Sequence, residues 1–236
     1  ACTRIGGRLV YFADWLISGW SSAKTDSETR WLPTGSQTSC WESGWCGKVL
    51  GTSGSNHVVG CVIFEDEDLL VVNKPAGMNT HAPAPYAGEG IYDWLRHREP
   101  HWANLATIHR LDKETSGVIV FSKNQTANRS LTSQFTRREV RKRYLLLTDG
   151  PTPATTLTVK SAIVRAGEKY ISHPSHSAGN LAETLFRSTQ KGSVAIPATA
   201  AHWSIVEAEP LTGRTHQIRV HAAGNGFPIY GDTLYG

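Results

Sequence analysis

The pattern of apolar and polar residues changes near residue 57, and only the part after that point is regular. Residues 1–57 show no sustained helical or strand period, although they contain five of the eight tryptophans and three of the four cysteines. This segment is rich in turn residues but too aromatic for an ordinary flexible linker. We therefore expect two regions, an atypical N-terminal segment at 1–57 and one regular domain at 58–236.

Short apolar runs in the second region predict a series of strands. The first two flank the acidic turn at 65–68, and a Lys-Pro-Ala-Gly sequence follows at 74–77. Pro75 lacks a backbone donor and Gly77 permits a positive φ, so this sequence ends the second strand. Residues 189–200 are expected to form a loop. The predicted strands are Cys61–Phe64, Leu69–Asn73, Gly117–Lys123, Val140–Thr148, Leu157–Val164, Leu181–Arg187 and Trp203–Ala208.

Three further segments predict helices. The middle one carries Ala127, Leu131 and Phe135 every four residues, so these side chains share one face. The last one is followed by Gly224, a residue type that often terminates helices. Strands outnumber helices and follow one another as in antiparallel sheets, which predicts an α+β fold with a mostly antiparallel central sheet flanked by helices and loops. The helices are expected at Ile91–Arg98, 124–138 and Arg214–Ala223.

Composition narrows the class of protein only slightly. The chain has 236 residues and a formal net charge of +4 with a pI near 8.9, which suits a polyanionic partner without requiring one. The four cysteines form no Cys-x-x-Cys pair, so neither a structural zinc site nor a disulfide framework is expected. No apolar run reaches membrane-spanning length, and Asp14 interrupts the apolar stretch at 9–17, so we expect no signal peptide and a cytoplasmic protein.

One carboxylate stands in unusual surroundings. Asp112 lies in the sequence His-Arg-Leu-Asp-Lys-Glu-Thr-Ser-Gly at 109–117, between cationic residues and a turn, and an apolar run follows directly. An isolated aspartate before Thr-Ser-Gly is most often a turn or capping residue. A carboxylate beside fixed positive charge, however, stays ionised and can act as a nucleophile or a base. Asp112 is therefore the first candidate for catalysis.

Two more blocks of sequence stand out. Residues 213–221 read Gly-Arg-Thr-His-Gln-Ile-Arg-Val-His, and residues 140–144 read Val-Arg-Lys-Arg-Tyr. The second block belongs to a run with five positive charges within seven residues, at 137–143, which is typical of a phosphate-contacting surface. His216 and His221 are five residues apart and share a helical face poorly, so they do not predict a metal site.

Together these blocks resemble the motifs of the RluA branch of RNA pseudouridine synthases. The resemblance covers residues 61–236 and includes H-R-L-D-x-x-T-S-G, K-x-Y, G-R-T-H-Q-I-R-V-H, K-P-x-G at 74–77 and G-D-x-x-Y-G at 231–236. It implies the pseudouridine synthase fold, with 58–236 as the catalytic domain. It also implies that this domain stops short at its C-terminus, because family members usually continue past the last motif. Residues 1–57 do not resemble the S4-type RNA-binding module that many members carry.

The resemblance implies an activity and a division of roles. A specific uridine of ribosomal or transfer RNA would flip out of its helix or loop and be converted to pseudouridine. Asp112 would be the nucleophile or base, and Tyr144 would stack on the target base and help to remove a proton. Arg219 would form a bidentate ion pair that holds Asp112 and keeps it ionised. Arg110 would fill the space left by the flipped base.

Further residues are expected to support binding rather than chemistry. His216, Gln217 and His221 would be scaffold or RNA-backbone contacts. No metal and no cofactor are expected, and the partner would be RNA, bound by a monomer without membrane association. The residues that would contact the RNA or the base are Arg110, His109, Lys142, Ile218, Arg141 and Arg143.

Two other functions remain open from the sequence. A domain that binds RNA without catalysis would need only the basic residues and Tyr144, and RNA binding without isomerisation would select it. A carboxylate-dependent hydrolase, such as a nucleosidase or glycosidase, usually needs two positioned acids. Besides Asp112 the motif blocks offer Glu114 and Asp232, neither in an evident pair, and release of free uracil would favour this reading.

Overall fold

A computed structural model describes residues 61–83, 90–174, 181–189 and 203–236, together with the backbone of strand segments at 12–16, 194–195 and 202. Within these residues eleven strands and three α-helices follow one another along the chain. In order they are β1 (Phe12–Leu16), β2 (Val62–Glu65), β3 (Leu69–Lys74), α1 (Ile91–Arg98), β4 (Ala106–Thr107), β5 (Gly117–Ser122), α2 (Gln125–Thr136), β6 (Arg141–Thr148), β7 (Leu157–Ala166), β8 (Lys169–His173), β9 (Leu181–Ser188), β10 (Val194–Ala195), β11 (His202–Pro210) and α3 (Gln217–Gly224).

The described strands form two antiparallel sheets, which confirms the predicted α+β class. The smaller sheet has the order β2-β3-β5-β4, and the larger has the order β1-β6-β11-β9-β7-β8, with β10 paired to β11. Every pair of neighbouring strands in both sheets runs antiparallel. The large sheet carries α3, while the small sheet lies between the other two helices.

The central strands of the small sheet, β3 and β5, are buried on both faces, which explains why they form continuous apolar runs. Leu70 of β3 and Ile119 of β5 pack in a core with Leu95 of α1. Their strand neighbours Leu69 and Val120 point to the opposite face and pack on α2. Successive strand residues face opposite sides, so a sheet covered on both sides needs apolar residues at nearly every position.

A side-chain cap and a left-handed residue explain where α2 begins and ends. The side chain of Asn124 caps α2 by accepting a hydrogen bond from the Ala127 N–H at 2.9 Å. Arg138 adopts a left-handed backbone with φ of 60°, which stops the helix and turns the chain into β6. The predicted face is buried as expected, because Ala127 and Leu131 pack on the small sheet.

The structure contains strands that the pattern did not predict. Phe12–Leu16, within the segment at 1–57 that shows no sustained period, pairs with β6, while the remaining residues of this segment lie outside the described part of the chain. Two residues of the predicted loop at 189–200 pair with β11 as β10. The sequence pattern missed β4 and β8, because β4 is only two residues long and β8 is a mostly exposed edge strand. Such strands exist through pairing with a neighbour rather than through their own apolar residues.

The last helix begins three residues later than predicted. His216 has a left-handed backbone with φ of 54°, so the helix cannot extend backwards through it. The Arg214 N–H donates instead to the buried side chain of Gln217 at 3.0 Å. That side chain also donates to the Glu183 carbonyl at 2.9 Å, which anchors the start of α3 to the large sheet. None of the helices within the described ranges has the length and apolarity needed to cross a membrane.

Candidate active site

A pocket of about 470 Å³ opens where the loop before β5, the end of α2, the start of β6 and the turn before α3 meet. A recess of about 240 Å³ adjoins it on the side of the 74–80 segment. Asp112 therefore lies at the junction of two concavities. The residues that line both are Arg110, Asp112, Thr115, His216 and Arg219.

The loop that carries Asp112 is fixed by its neighbours. The buried hydroxyl of Thr80 donates to the Leu111 carbonyl at 2.8 Å and accepts from the Leu111 N–H at 3.0 Å. The Thr115 N–H donates to the Asp112 carbonyl at 3.1 Å and closes a tight turn. The Asp112 side chain remains 29% exposed and is accessible from the pocket. The backbone is thus held in place while the carboxylate is available to a ligand.

Lys74 helps to hold the loop that carries Asp112, whereas the sequence indicated only that it belongs to a turn. It is fully buried. Its ammonium donates to the carbonyls of Pro75 at 3.0 Å, Met78 at 2.7 Å and Lys113 at 3.1 Å. Burial lowers the pKa of Lys74 to about 8, against the opposite effect of two carboxylates in the Asp112 loop. The signal in the sequence was its position at the end of an apolar strand, where a lysine needs several buried acceptors.

Arg219 makes a bidentate ion pair, but its partner differs from the predicted one. Its Nε and Nη2 donate to Oδ2 and Oδ1 of Asp232, both at 2.8 Å. The third nitrogen, Nη1, lies 3.8 Å from Oδ2 of Asp112. The expected ion pair with Asp112 is therefore present through one nitrogen, whereas the expected bidentate geometry is wrong, because the fork goes to Asp232. Asp232 takes the fork because it is fully buried and needs a strong donor to stay charged.

Asp232 is the partner of Arg219, and the sequence motifs did not indicate this pair. Its Oδ1 also accepts from the backbone N–H groups of Leu234 at 3.0 Å and Tyr235 at 3.2 Å. Burial alone would raise the pKa of Asp232, but the hydrogen bonds from Arg219 and the backbone outweigh it and hold the pKa below its ordinary value. A buried, fully paired carboxylate of this kind orients Arg219 and is not available as a second catalytic acid.

His216 lies closer to Asp112 than its expected scaffold role suggested. Its Nε2 is 4.0 Å from Oδ2 of Asp112, and its Nδ1 is 2.9 Å from the Tyr235 hydroxyl. Burial lowers the pKa of His216, and Arg219 and Arg110 act in the same direction, while Asp112 opposes them. Two nitrogen atoms therefore face the same oxygen of Asp112, one from the turn before α3 and one from the helix itself.

Tyr144 and Ile218 form the apolar wall of the pocket. Both line it, and both pack against the cluster between α3 and the large sheet. Burial raises the pKa of Tyr144 above its ordinary value, and the negative charge of Asp112 adds to the effect. The phenol is therefore neutral at pH 7, which suits stacking on a base. The predicted role in proton removal is less favourable, because a neutral phenol is a weak base.

Lys142 and His109 also line the pocket, each with an internal partner. The Lys142 ammonium donates to the Thr212 carbonyl at 3.3 Å, and burial lowers its pKa. His109 accepts from the Val120 N–H at 3.1 Å, and burial lowers its pKa to about 3, so it is neutral. Its ring stacks on Phe135 with centroids 5.2 Å apart. His109 thus joins α2 to β5 and supports the pocket wall.

The basic run at 137–143 does not act as one surface. Lys142 and Tyr144 line the pocket, whereas Arg141 and Arg143 do not. Because strand residues alternate, these two arginines lie on the opposite face of β6. Arg141 and Arg143 are therefore not part of the pocket wall, and their predicted contact with RNA stays a prediction. Arg110, by contrast, is exposed and lines both concavities.

The other two polar residues of the last motif are internal. Gln217 is buried in the contacts described above, and His221 is fully buried between Ser161 Oγ at 2.9 Å and Thr184 Oγ1 at 2.8 Å. Burial lowers the pKa of His221 to about 4, so it is neutral at pH 7. Their placement is that of scaffold residues rather than RNA contacts. Among the described residues, no group of three or more histidine, cysteine or acidic side chains is arranged to hold a metal ion.

Comparison with protein families gives a match over most of the regular domain. Residues 68–224 match the family described as RNA pseudouridylate synthase. The chain is 36% identical over 180 residues to the ribosomal large subunit pseudouridine synthase C of Yersinia pestis, covering 75% of this chain and 53% of that protein. It is 34% identical over 179 residues to the protein of the same name from Escherichia coli (strain K12), covering 74% and 53%. The chain thus spans about half the length of these curated relatives.

Solved structures of similar proteins have the same fold. Human RNA pseudouridylate synthase domain containing 1 matches with a TM-score of 0.61 and 30% identity, over 75% of this chain and 69% of that one. Human RNA pseudouridylate synthase domain containing 4 matches with a TM-score of 0.60 and 26% identity, over 77% and 71%. The family predicted from the motifs is therefore confirmed.

Proposed function

The chain belongs to the RNA pseudouridylate synthase family, and from that premise we propose that it isomerises uridine to pseudouridine in RNA. The observation that carries the proposal is the position of Asp112 at the junction of two concavities, with Arg219 and His216 facing one of its oxygens. A carboxylate held beside a guanidinium keeps its negative charge and can act on a sugar or a base. A pocket of about 470 Å³ is large enough for one nucleotide.

The proposed reaction is an isomerisation that needs no co-reactant. The target uridine flips out of its helix or loop and enters the pocket, at an unstacking cost of about a few kcal/mol. The C1′–N1 bond breaks, the uracil turns, and a C1′–C5 bond forms. The C5 proton then leaves and N1 gains a proton, so the atoms balance. Asp112 attacks the ribose or the base, or takes a ribose proton, and each of these routes uses an ionised carboxylate.

Other pocket residues would bind and orient the uridine. Tyr144 and Ile218 offer the flat apolar wall on which a uracil can stack. Because its raised pKa keeps the Tyr144 phenol neutral, we assign the removal of the C5 proton to Asp112. Arg110 is an exposed side chain two residues before Asp112 and lines both concavities, so we propose that it replaces the flipped base in the stack.

We further propose that the substrate is large-subunit ribosomal RNA. The support is the name shared by the bacterial relatives, ribosomal large subunit pseudouridine synthase C. The exposed cations at the pocket mouth, Arg110, Arg138 and Arg214, would contact backbone phosphates. Transfer RNA is the alternative substrate, and the two are separated by activity on matched transcripts.

The test is the release of tritium from transcripts that carry 5-³H-uridine. Large-subunit ribosomal RNA and transfer RNA transcripts are compared, with the wild type beside Asp112→Asn. The matched control is Asp149→Asn, which changes an exposed aspartate after β6 that does not line either concavity. We expect release by the wild type and the control but not by Asp112→Asn. RNA binding without release would select the non-catalytic reading, and free uracil in the products would select the hydrolase.

A further inference from the structure

The segment after α3 supports the site from below, and one of its residues has no role in the reaction proposed above. Tyr235 belongs to the last motif, four residues beyond Gly231. Its ring lies under the Arg219 guanidinium, with Cζ 4.9 Å from the ring centroid. Its backbone N–H is held by the buried carboxylate of Asp232 at 3.2 Å. The position of this side chain is therefore well determined, and the question is what its hydroxyl does.

Among the described residues the Tyr235 hydroxyl has two hydrogen-bond partners, and one of them determines in which bond the hydroxyl donates and in which it accepts. The backbone N–H of Tyr170 donates to the hydroxyl oxygen at 2.8 Å. A backbone N–H can only donate, so the phenol oxygen is the acceptor in that bond. Among the described residues the remaining partner is Nδ1 of His216 at 2.9 Å. Tyr235 is half-buried and its hydroxyl has one hydrogen to donate, and Nδ1 is the acceptor that the described residues offer.

This bond has a consequence for the other side of the imidazole ring. Burial keeps the pKa of His216 below its ordinary value, so the ring is neutral at pH 7 and carries one proton. If Nδ1 accepts from Tyr235, that proton is on Nε2. Nε2 is the nitrogen that lies 4.0 Å from Oδ2 of Asp112. The charged and titratable groups that face His216 are Asp112, Arg219, Asp232, Arg110, Tyr235 and Tyr170.

We infer that Tyr235 is a positioning residue, which fixes the tautomer of His216 so that an Nε2–H donor faces Asp112. The inference deepens the proposed function and rests on it for its catalytic meaning. Oδ2 of Asp112 then faces two donors, His216 Nε2–H and Arg219 Nη1, and we assign its other oxygen to the reacting atoms. The distance of 4.0 Å is too long for a hydrogen bond, and an approach of about 1 Å on substrate binding would form one.

The first measurement is the protonation of the two ring nitrogens by ¹⁵N NMR on histidine-labelled protein. The signals of His216 are assigned by their loss in His216→Gln. We expect an unprotonated Nδ1 and a protonated Nε2 in the wild type and in Tyr230→Phe, and a mixture of tautomers in Tyr235→Phe. Tyr230 is the matched control because it lies in the same segment with 37% of its surface exposed. A proton on Nδ1 in the wild type, or an unchanged tautomer in Tyr235→Phe, overturns the inference.

The second measurement separates the tautomer from a merely structural effect of Tyr235. In tritium release we expect Tyr235→Phe to lower kcat by about tenfold with little change in KM, since second-layer hydrogen bonds commonly contribute that much. In His216→Gln the side-chain amide donates without a tautomer, so adding Tyr235→Phe should cost nothing more. An equal loss in both backgrounds would mean that Tyr235 only supports the fold. If no protein releases tritium, the proposed function fails, and the NMR result still decides the inference.

Discussion

Two regions at the pocket hold their charges in opposite ways. The floor consists of Asp112, His216, Arg219, Asp232 and Tyr235, and the mouth consists of Arg110, Arg138 and Arg214. At the floor the charged groups contact one another in buried surroundings, such as the bidentate ion pair of Arg219 with Asp232 at 2.8 Å. At the mouth the cations are exposed.

The difference separates chemistry from binding. Charges in a buried network are weakly screened and keep their geometry, so they can stabilise charge that develops during a reaction. Exposed cations are screened by salt and adapt to a flexible polyanion, which is what RNA binding requires. Changes at the floor should therefore alter kcat and stability, and changes at the mouth should alter affinity and its dependence on salt.

The largest effect is expected at the centre of the floor. Asp112→Asn removes the negative charge but preserves the shape of the side chain, so we expect the rate of tritium release to fall by at least about a thousandfold. RNA binding should change little, because the proposed phosphate contacts are at the mouth. Circular dichroism establishes that the variant is folded. Retention of full turnover in the folded variant would exclude Asp112 as the nucleophile or base.

A smaller effect is expected for Asp232, the buried partner of Arg219. Asp232→Asn leaves the Arg219 guanidinium facing a neutral amide in a buried site, which should reduce the free energy of unfolding by about 3 kcal/mol. Urea unfolding measures this change, and Asp149→Asn serves again as the exposed control. Because the pKa of Asp232 is lowered by folding, its contribution is present above its unfolded pKa and is lost as the pH falls through the folded value. A variant as stable as the control would contradict the assigned role of the fork.

At the mouth we expect changes in affinity and in its dependence on salt. Arg110→Gln and Arg138→Gln should each reduce the slope of log affinity against log salt by about 1, because each cation releases about one counterion. Filter binding at several salt concentrations measures the slope. Arg165→Gln, at the exposed end of β7 and outside both concavities, is the control. Equal slopes in all three variants would show that the mouth does not bind phosphates.

The smallest expected effect concerns the scaffold under α3. His221 is fully buried with its pKa lowered to about 4, so the unfolded chain binds a proton at this residue between about pH 6.5 and 4 and the folded chain does not. Stability therefore falls with acidification in this window, by about 1 kcal/mol between pH 7 and 5.5 for this one group. The fall should be smaller in His221→Gln than in the exposed control His173→Gln. Identical pH profiles of unfolding would contradict the burial of a neutral imidazole.

How much of this site the sequence revealed differs from residue to residue. Asp112, Tyr144 and Arg219 were singled out by their motifs, and the structure brings all three to one pocket. Arg141 and Arg143 were grouped with Lys142 as RNA contacts, and the two-residue period of a strand places them on the face away from the pocket. The pairs Arg219–Asp232 and Tyr235–His216 could not be predicted, because the motifs do not indicate which of their buried groups will contact each other.

The sequence by itself determined the local elements and the family. Apolar runs predict β3 and β5, a side-chain cap begins α2, and the short motifs indicate the chemistry. Each of these signals depends on residues within a few positions of one another. Only the tertiary structure decided which carboxylate receives the fork of Arg219, and that Tyr235 contacts both His216 and the distant Tyr170. These contacts depend on burial, which gives a charged or polar group a strong need for a partner and which arises only when distant segments pack together.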